Sequence, residues 1–229
     1  MSEAKSTTEN GESVPLAAVV AFLKHHLHDV RNDLNALNLE AMLLDVYVTD
    51  REGTESVQRI QDLLHQSAGR LGALSRKFSE AAPSADTLSA QFVLTSWRDE
   101  WNSGGAAPQI TWETSSVQAN VKADPVHLTE IFREWLSNAK QYGSVSAIIT
   151  LTPGDSGELV FRLTEPKSEP VDTAAWGLQP FARPRRGSYG LGIWRVQTLV
   201  KANGGTWKQY YAPAEGCLVS ELRLPVAQA

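Results

Sequence analysis

The chain has 229 residues, 42% of them hydrophobic and 21% charged, with a formal net charge of −5. That is enough to bury a substantial core, in one large domain or two small ones. The acidic balance argues against a nucleic-acid surface, no apolar run is long enough to cross a bilayer, and the single cysteine, Cys217, excludes an internal disulfide framework.

Residues 1–13, MSEAKSTTENGES, lack the basic and apolar regions of a secretory signal. They read as a disordered polar leader in a cytoplasmic protein. From Pro15 onward Leu16, Val20, Leu23, Leu27, Val30, Leu34, Leu37, Ala41, Leu44 and Val48 recur at alternating spacings of four and three, the seam of a helix in a bundle. The stretch TDREGTES then offers Gly53 for a reversal and Thr54 as an N-cap. Val57, Ile60, Leu64, Ser67, Leu71, Leu74 and Phe78 repeat the alternation, so residues 14–82 form a helical hairpin. Two narrow apolar stripes make a poor core by themselves, and a homodimer closing a four-helix bundle is expected.

The hairpin's first helix carries the chemistry. His28 follows the seam residue Leu27, so its ring should point out of the bundle, with Asn32 one turn further and Asp29 beside it. An exposed, oriented imidazole is a competent phosphoryl acceptor, whereas the same residues in isolation also describe a solvated mixed-charge face. His25 and His26 fit that plainer description, and no carboxylate or cysteine completes a metal set with them.

Residues 83–108 read as a linker with a short amphipathic helix, ending at Gly104 and Gly105. Residues 109–229 supply QITWET, VQANVKAD, SVSAIITLTP, GELVFRLTEP, TWKQYYAP and GCLVSELRLP as strands, with one helix starting near Asp124 and Pro125 and another opened by the glycines of GLGIW. The fold class is therefore α+β: a helical hairpin followed by an α/β layer sandwich. Trp135 and Trp194 are expected in its core, and Cys217 buried in a late strand. Arg183, Arg185 and Arg186 could contact phosphate or an acidic partner.

The order and spacing of these motifs resemble the core of bacterial sensor histidine kinases, a dimerisation and phosphoacceptor hairpin joined to an ATPase-like domain of the Bergerat type. LHDVRNDL is similar to the phosphoacceptor box, which implies that His28 is phosphorylated, Asp29 is its acidic neighbour and Asn32 positions water for dephosphorylation. EWLSNAKQYG resembles the asparagine box, in which Asn138 would hold magnesium, and Glu134 stands where ATP-hydrolysing relatives of the fold have a water-activating glutamate. LQPFARPRR resembles the phenylalanine box and YGLGIW the second glycine box, with Gly190 and Gly192 in place. The cofactor so implied is Mg-ATP, and the partners are response-regulator receiver domains and a second copy of the chain, with neither nucleic acid nor membrane.

The departures from that pattern bear on function. In the family an aspartate followed by two glycines receives the adenine amino group, but here the strand ends LTEPKSEP, with Glu165 near the aspartate position and no glycine from Arg162 through Ala175. A missing oriented acceptor costs about 1–3 kcal/mol, and bulky side chains add steric exclusion. Ser188 replaces a glycine of the second glycine box and Asp33 the proline usual after the phosphoacceptor. Three readings follow. The chain is a dimeric histidine phosphotransferase passing a phosphoryl group between receiver aspartates through His28, a soluble kinase that autophosphorylates His28 from Mg-ATP, or a non-catalytic regulator that binds a receiver or a kinase.

Overall fold

The computed structural model describes residues 15–103, 109–114, 117–141, 146–155, 157–181 and 189–227. The leader, Arg183, Arg185, Arg186 and Ser188 lie outside the described residues. The chain divides into two compact units between Ser79 and Glu80. No helix among the described residues is long and apolar enough to cross a membrane.

The first unit is an antiparallel pair, α1 (Leu16–Tyr47) and α2 (Arg51–Lys77). Leu27, Ala41, Val57 and Phe78 are buried, whereas the seam residues Leu37, Leu44 and Ile60 stay about half exposed, as do Met42 and Leu43. One chain thus covers only part of each stripe. The reversal differs from expectation: Asp50, not Thr54, caps α2, its carboxylate accepting from Gly53 N at 2.8 Å. An aspartate both satisfies a free N–H and complements the positive end of the helix, so it displaces the threonine four residues later. Gly53 accordingly sits in the first turn of α2, where a Cβ would come within 2.4 Å of Val48 Cγ1.

The second unit comprises β1 (Asp86–Ser89), α3 (Ala90–Ser103), β2 (Gln109–Thr114), β3 (Asn120–Ala123), α4 (Pro125–Gln141), β4 (Ser146–Pro153), β5 (Glu158–Pro166), α5 (Gly192–Ala202), β6 (Thr206–Ala212) and β7 (Cys217–Pro225). Five strands form a mixed sheet in the order β2-β4-β5-β7-β6, with β2 and β4 parallel and the other neighbours antiparallel. A two-stranded ribbon, β1 with β3, stands apart. Alternation puts Ala147, Ile149 and Leu151 of β4 and Leu159, Phe161 and Leu163 of β5 into the core with α4 and α5. By the same alternation Glu165 lies on the core side of β5. Trp135 is buried as expected, but Trp194 is only half-buried, because α5 turns Val196, Leu199 and Val200 inward instead. Cys217 is likewise half-buried, at the first position of β7 opposite Pro166.

A polar knot ties the start of α4 to the end of α5. Asp124 accepts from Ser84 N at 2.7 Å, Val126 N at 2.8 Å and His127 N at 3.2 Å, while its own N–H donates to Asn203 Oδ1 at 2.7 Å. Asn203 Nδ2 donates to Leu199 O at 2.8 Å and lies 3.1 Å from His127 Nδ1. Burial pushes the Asp124 carboxyl up, but the three N–H donors and nearby His127 outweigh it and hold the carboxyl below its ordinary value of 3.8. A depressed folded-state value stabilises the fold above that ordinary value, and the contribution disappears as pH falls through the lower one. Asp124→Ala is expected to cost about 1–3 kcal/mol in urea unfolding at neutral pH and to flatten the acid limb of the stability profile. An unchanged midpoint would remove the knot from the account of stability.

Candidate functional site

The chemistry-bearing residues fall into two groups, one in each unit. On α1 the His28 side chain is 71% exposed, as its place beside the seam predicts. Its Nδ1 lies 3.3 Å from Asn32 Nδ2 and 3.6 Å from Asp29 Oδ1. Asp29 also reaches His25 Nε2 at 3.5 Å, so one carboxylate is shared between two rings. Nδ1 thus faces an amide nitrogen and a carboxylate together, and whether it donates or accepts follows the ring's tautomer. Nε2 has no hydrogen-bond partner among the described residues. This is the arrangement of a nucleophile with an oriented ring. His26 instead stacks on Phe22, the ring centroids 5.9 Å apart.

In the second unit α4 places Glu130, Glu134 and Asn138 at intervals of four along one face. The start of α5 packs against that row. A Cβ on Gly192 would lie 2.8 Å from Glu134 Oε2 and 3.6 Å from Asn138 Nδ2, so only glycine permits this approach without moving Glu134. Gly190 has a left-handed φ of 67°, the conformation that lets the chain enter α5 at this angle. Three residues singled out on separate segments, Glu134, Asn138 and Gly192, thus converge. Asn138 Nδ2 is buried there without a hydrogen-bond partner among the described residues.

Sequence reasoning missed the ion pair beside them: Arg195, 2% exposed, donates through Nε and Nη2 to the two carboxylate oxygens of Glu130 at 2.9 and 3.2 Å. Its signal was an arginine inside the otherwise apolar run GIWRVQTLV. No group of three metal-ligating side chains occurs among the described residues.

At the end of β5 the Glu165 side chain is 4% exposed and Oε1 accepts from Lys167 Nζ at 3.3 Å, the lysine being 12% exposed. Lys167 is held by its own backbone, whose N–H donates to Gly216 O at 2.9 Å. The chain beyond is tied down as well, Thr173 Oγ1 donating to Gln209 O and Gln197 Nε2 to Trp176 O.

No protein-family profile and no curated protein matches the sequence. Solved structures do match. Full-length ShkA in complex with AMPPNP aligns with 91% of the chain at a TM-score of 0.68 and 20% identity. The fold is that of a histidine kinase core. The chain spans 46% of the length of that ShkA chain. The Acinetobacter baumannii histidine kinase AdeS aligns with 89% of the chain at a TM-score of 0.51 and 15% identity, and covers 98% of its own length. The catalytic domain of the histidine kinase ThkA aligns with 62% of the chain, at 0.53 and 14%, over 95% of its own length.

The ShkA structure of this fold holds AMPPNP, and the two ends of such a nucleotide can be tested separately against the residues described. The row Glu134, Asn138 and Gly192, with an unpartnered buried amide, fits a magnesium-bound phosphate. The base end fits poorly, because the buried carboxylate is already engaged by Lys167 and no glycine occurs from Arg162 through Ala175 to let a purine approach that stretch of backbone. The described residues therefore do not by themselves compose a complete nucleotide site.

Proposed function

We propose that this chain is a two-component phosphorelay protein of the cytoplasm, a dimeric histidine phosphotransferase in which His28 carries a phosphoryl group between receiver aspartates. The observation that carries the reading is the exposed His28 ring, its Nδ1 beside Asp29 and Asn32 and its Nε2 without a partner among the described residues.

In the forward step the Nε2 lone pair forms a bond to the phosphorus of a receiver's aspartyl phosphate. The bond from phosphorus to the aspartate oxygen breaks, and its electron pair stays on the carboxylate. The imidazolium so formed keeps its proton on Nδ1, facing Asp29, and a second receiver's carboxylate reverses the sequence. The donor and acceptor receivers bring the magnesium and the acidic site, so the hairpin contributes position and a nucleophile. The half-exposed stripe of Leu37, Leu44 and Ile60 supports pairing with a second copy into a four-helix bundle.

The test is transfer of label to the chain from a phosphorylated receiver in the absence of nucleotide. No label on the chain would sink the proposal. Asp29→Asn is expected to slow that transfer roughly 100-fold without shifting the melting temperature, since a neutral amide no longer fixes the proton on Nδ1. A rate unchanged by the substitution would show that the ring is oriented by Asn32 alone.

The kinase reading, in which Mg-ATP phosphorylates His28, has the convergence of Asn138, Glu134 and Gly192 in its favour and the Glu165–Lys167 pair against it. The relay reading accommodates both, because a kinase-core fold that no longer turns over nucleotide can retain the packing of its phosphate end.

A further inference from the structure

At the end of β5 the protein itself supplies the partner of a buried carboxylate. Glu165 is one of the few buried carboxylates of the domain, on the core side of β5, and a buried carboxylate persists only with a hydrogen-bonded cation or donor beside it. Lys167 supplies that donor from two residues away, at 3.3 Å. Its backbone is fixed against Gly216 and the following chain is fastened to β6 and α5, so the stem of the side chain starts from a defined place, and the side chain, 12% exposed, sets its ammonium beside Glu165. The exocyclic amine of adenine presents the same chemistry, an N–H donor directed at a buried carboxylate, but brings a flat ring that needs backbone without side chains.

We infer that Lys167 is an internal substitute for the amino group of an adenine base. Its ammonium satisfies Glu165 permanently, which keeps the domain folded without ligand and closes it to purine nucleotides. The inference rests on the relay reading, in which the domain has no need of nucleotide. It names the residue that removes that need. Lys167→Arg keeps a cation on Glu165 and preserves the exclusion. Lys167→Gly removes the cation and opens space beside β5 at once.

The experiment uses the full chain and Mg-ADP, with Mg-GDP as the base control, read by thermal shift and calorimetric titration. Wild type and Lys167→Arg are expected to give no saturable response. Lys167→Gly is expected to bind Mg-ADP about tenfold or more tighter than wild type and to prefer it over Mg-GDP. Because removing Lys167 alone takes a cation from a buried carboxylate, Glu165→Gln combined with Lys167→Gly is made in parallel. There no charge is stranded and the amide oxygen still accepts. A gain of adenine-selective binding in either glycine variant supports the inference. Folded glycine variants that stay blind to Mg-ADP would overturn it, as would wild type that already binds Mg-ADP equally well. Unfolding of both variants irrespective of Mg-ADP would overturn it too, by reducing the pair to a structural requirement. Label transfer from a phosphorylated receiver, measured on the same wild-type preparation, tests the relay reading separately. Its loss leaves the Lys167 result standing, and nucleotide binding by wild type leaves the transfer standing.

Discussion

Replacing His28 with alanine is expected to bring label transfer from a phosphorylated receiver down to background, a loss of roughly 1000-fold or more, since a displaced nucleophile has no substitute within its own site. The side chain is 71% exposed, and its polar contacts among the described residues are with Asn32 and Asp29 on the same helix. Its removal should therefore change stability by no more than about 0.5 kcal/mol. Helicity and molar mass in solution serve as controls: the variant should remain as helical as wild type, and both should be dimers at micromolar concentration. Transfer that survives in His28→Ala would move the nucleophile elsewhere, His25 being the ring that shares Asp29 with it. A wild-type monomer would remove the bundle from the account. The two measurements separate chemistry from assembly, because His28 lies outside the apolar stripe of the hairpin.

Trp97→Ala is expected to cost about 3–5 kcal/mol, a large share of the roughly 5–15 kcal/mol that folds a typical domain. Trp97 is 2% exposed and stacks on Phe132 at 4.9 Å between ring centroids. It meets Phe161 at 5.2 Å and Trp135 edge-on at 6.4 Å. One residue of α3 thereby touches α4 and the central strand β5 together. The ion pair between Glu100 of α3 and Arg133 of α4 joins the same helices, but Arg133 is mostly exposed and such pairs contribute about 0–1 kcal/mol. The tryptophan, not the charge pair, should hold α3 in place. Guanidinium unfolding followed by circular dichroism checks this. A loss below about 1 kcal/mol would mean that the neighbouring rings close over the cavity.

Much of the architecture could be read from pattern. The alternation of four and three from Leu16 to Val48 found α1, and the period of two in SAIITLTP and ELVFRLTEP found β4 and β5, because each period records which face meets a core. Strand β1 escaped notice. Its four residues, DTLS, are three-quarters exposed and carry no alternation, and they become a strand only because Asn120–Ala123 offers a partner edge. The N-cap of α2 was misplaced for a related reason. Both Asp50 and Thr54 are capping residue types, and which of them is used depends on where Val48 lets the chain turn.

For the candidate site the division falls along the same line. His28, Asp29 and Asn32 sit within five residues of one helix, so helical geometry alone puts them together, and the sequence by itself determined that the ring is exposed and has a carboxylate neighbour. It also determined the α+β class and the absence of glycine after β5. Only the tertiary structure decided that Glu134 and Asn138 meet Gly192 across two helices, that Arg195 is buried on Glu130, and that Lys167 turns back onto a sealed Glu165. The physical reason is range. A helix fixes its neighbours at three and four residues by backbone geometry, whereas contacts between segments tens of residues apart are set by how the layers pack, which no local period encodes.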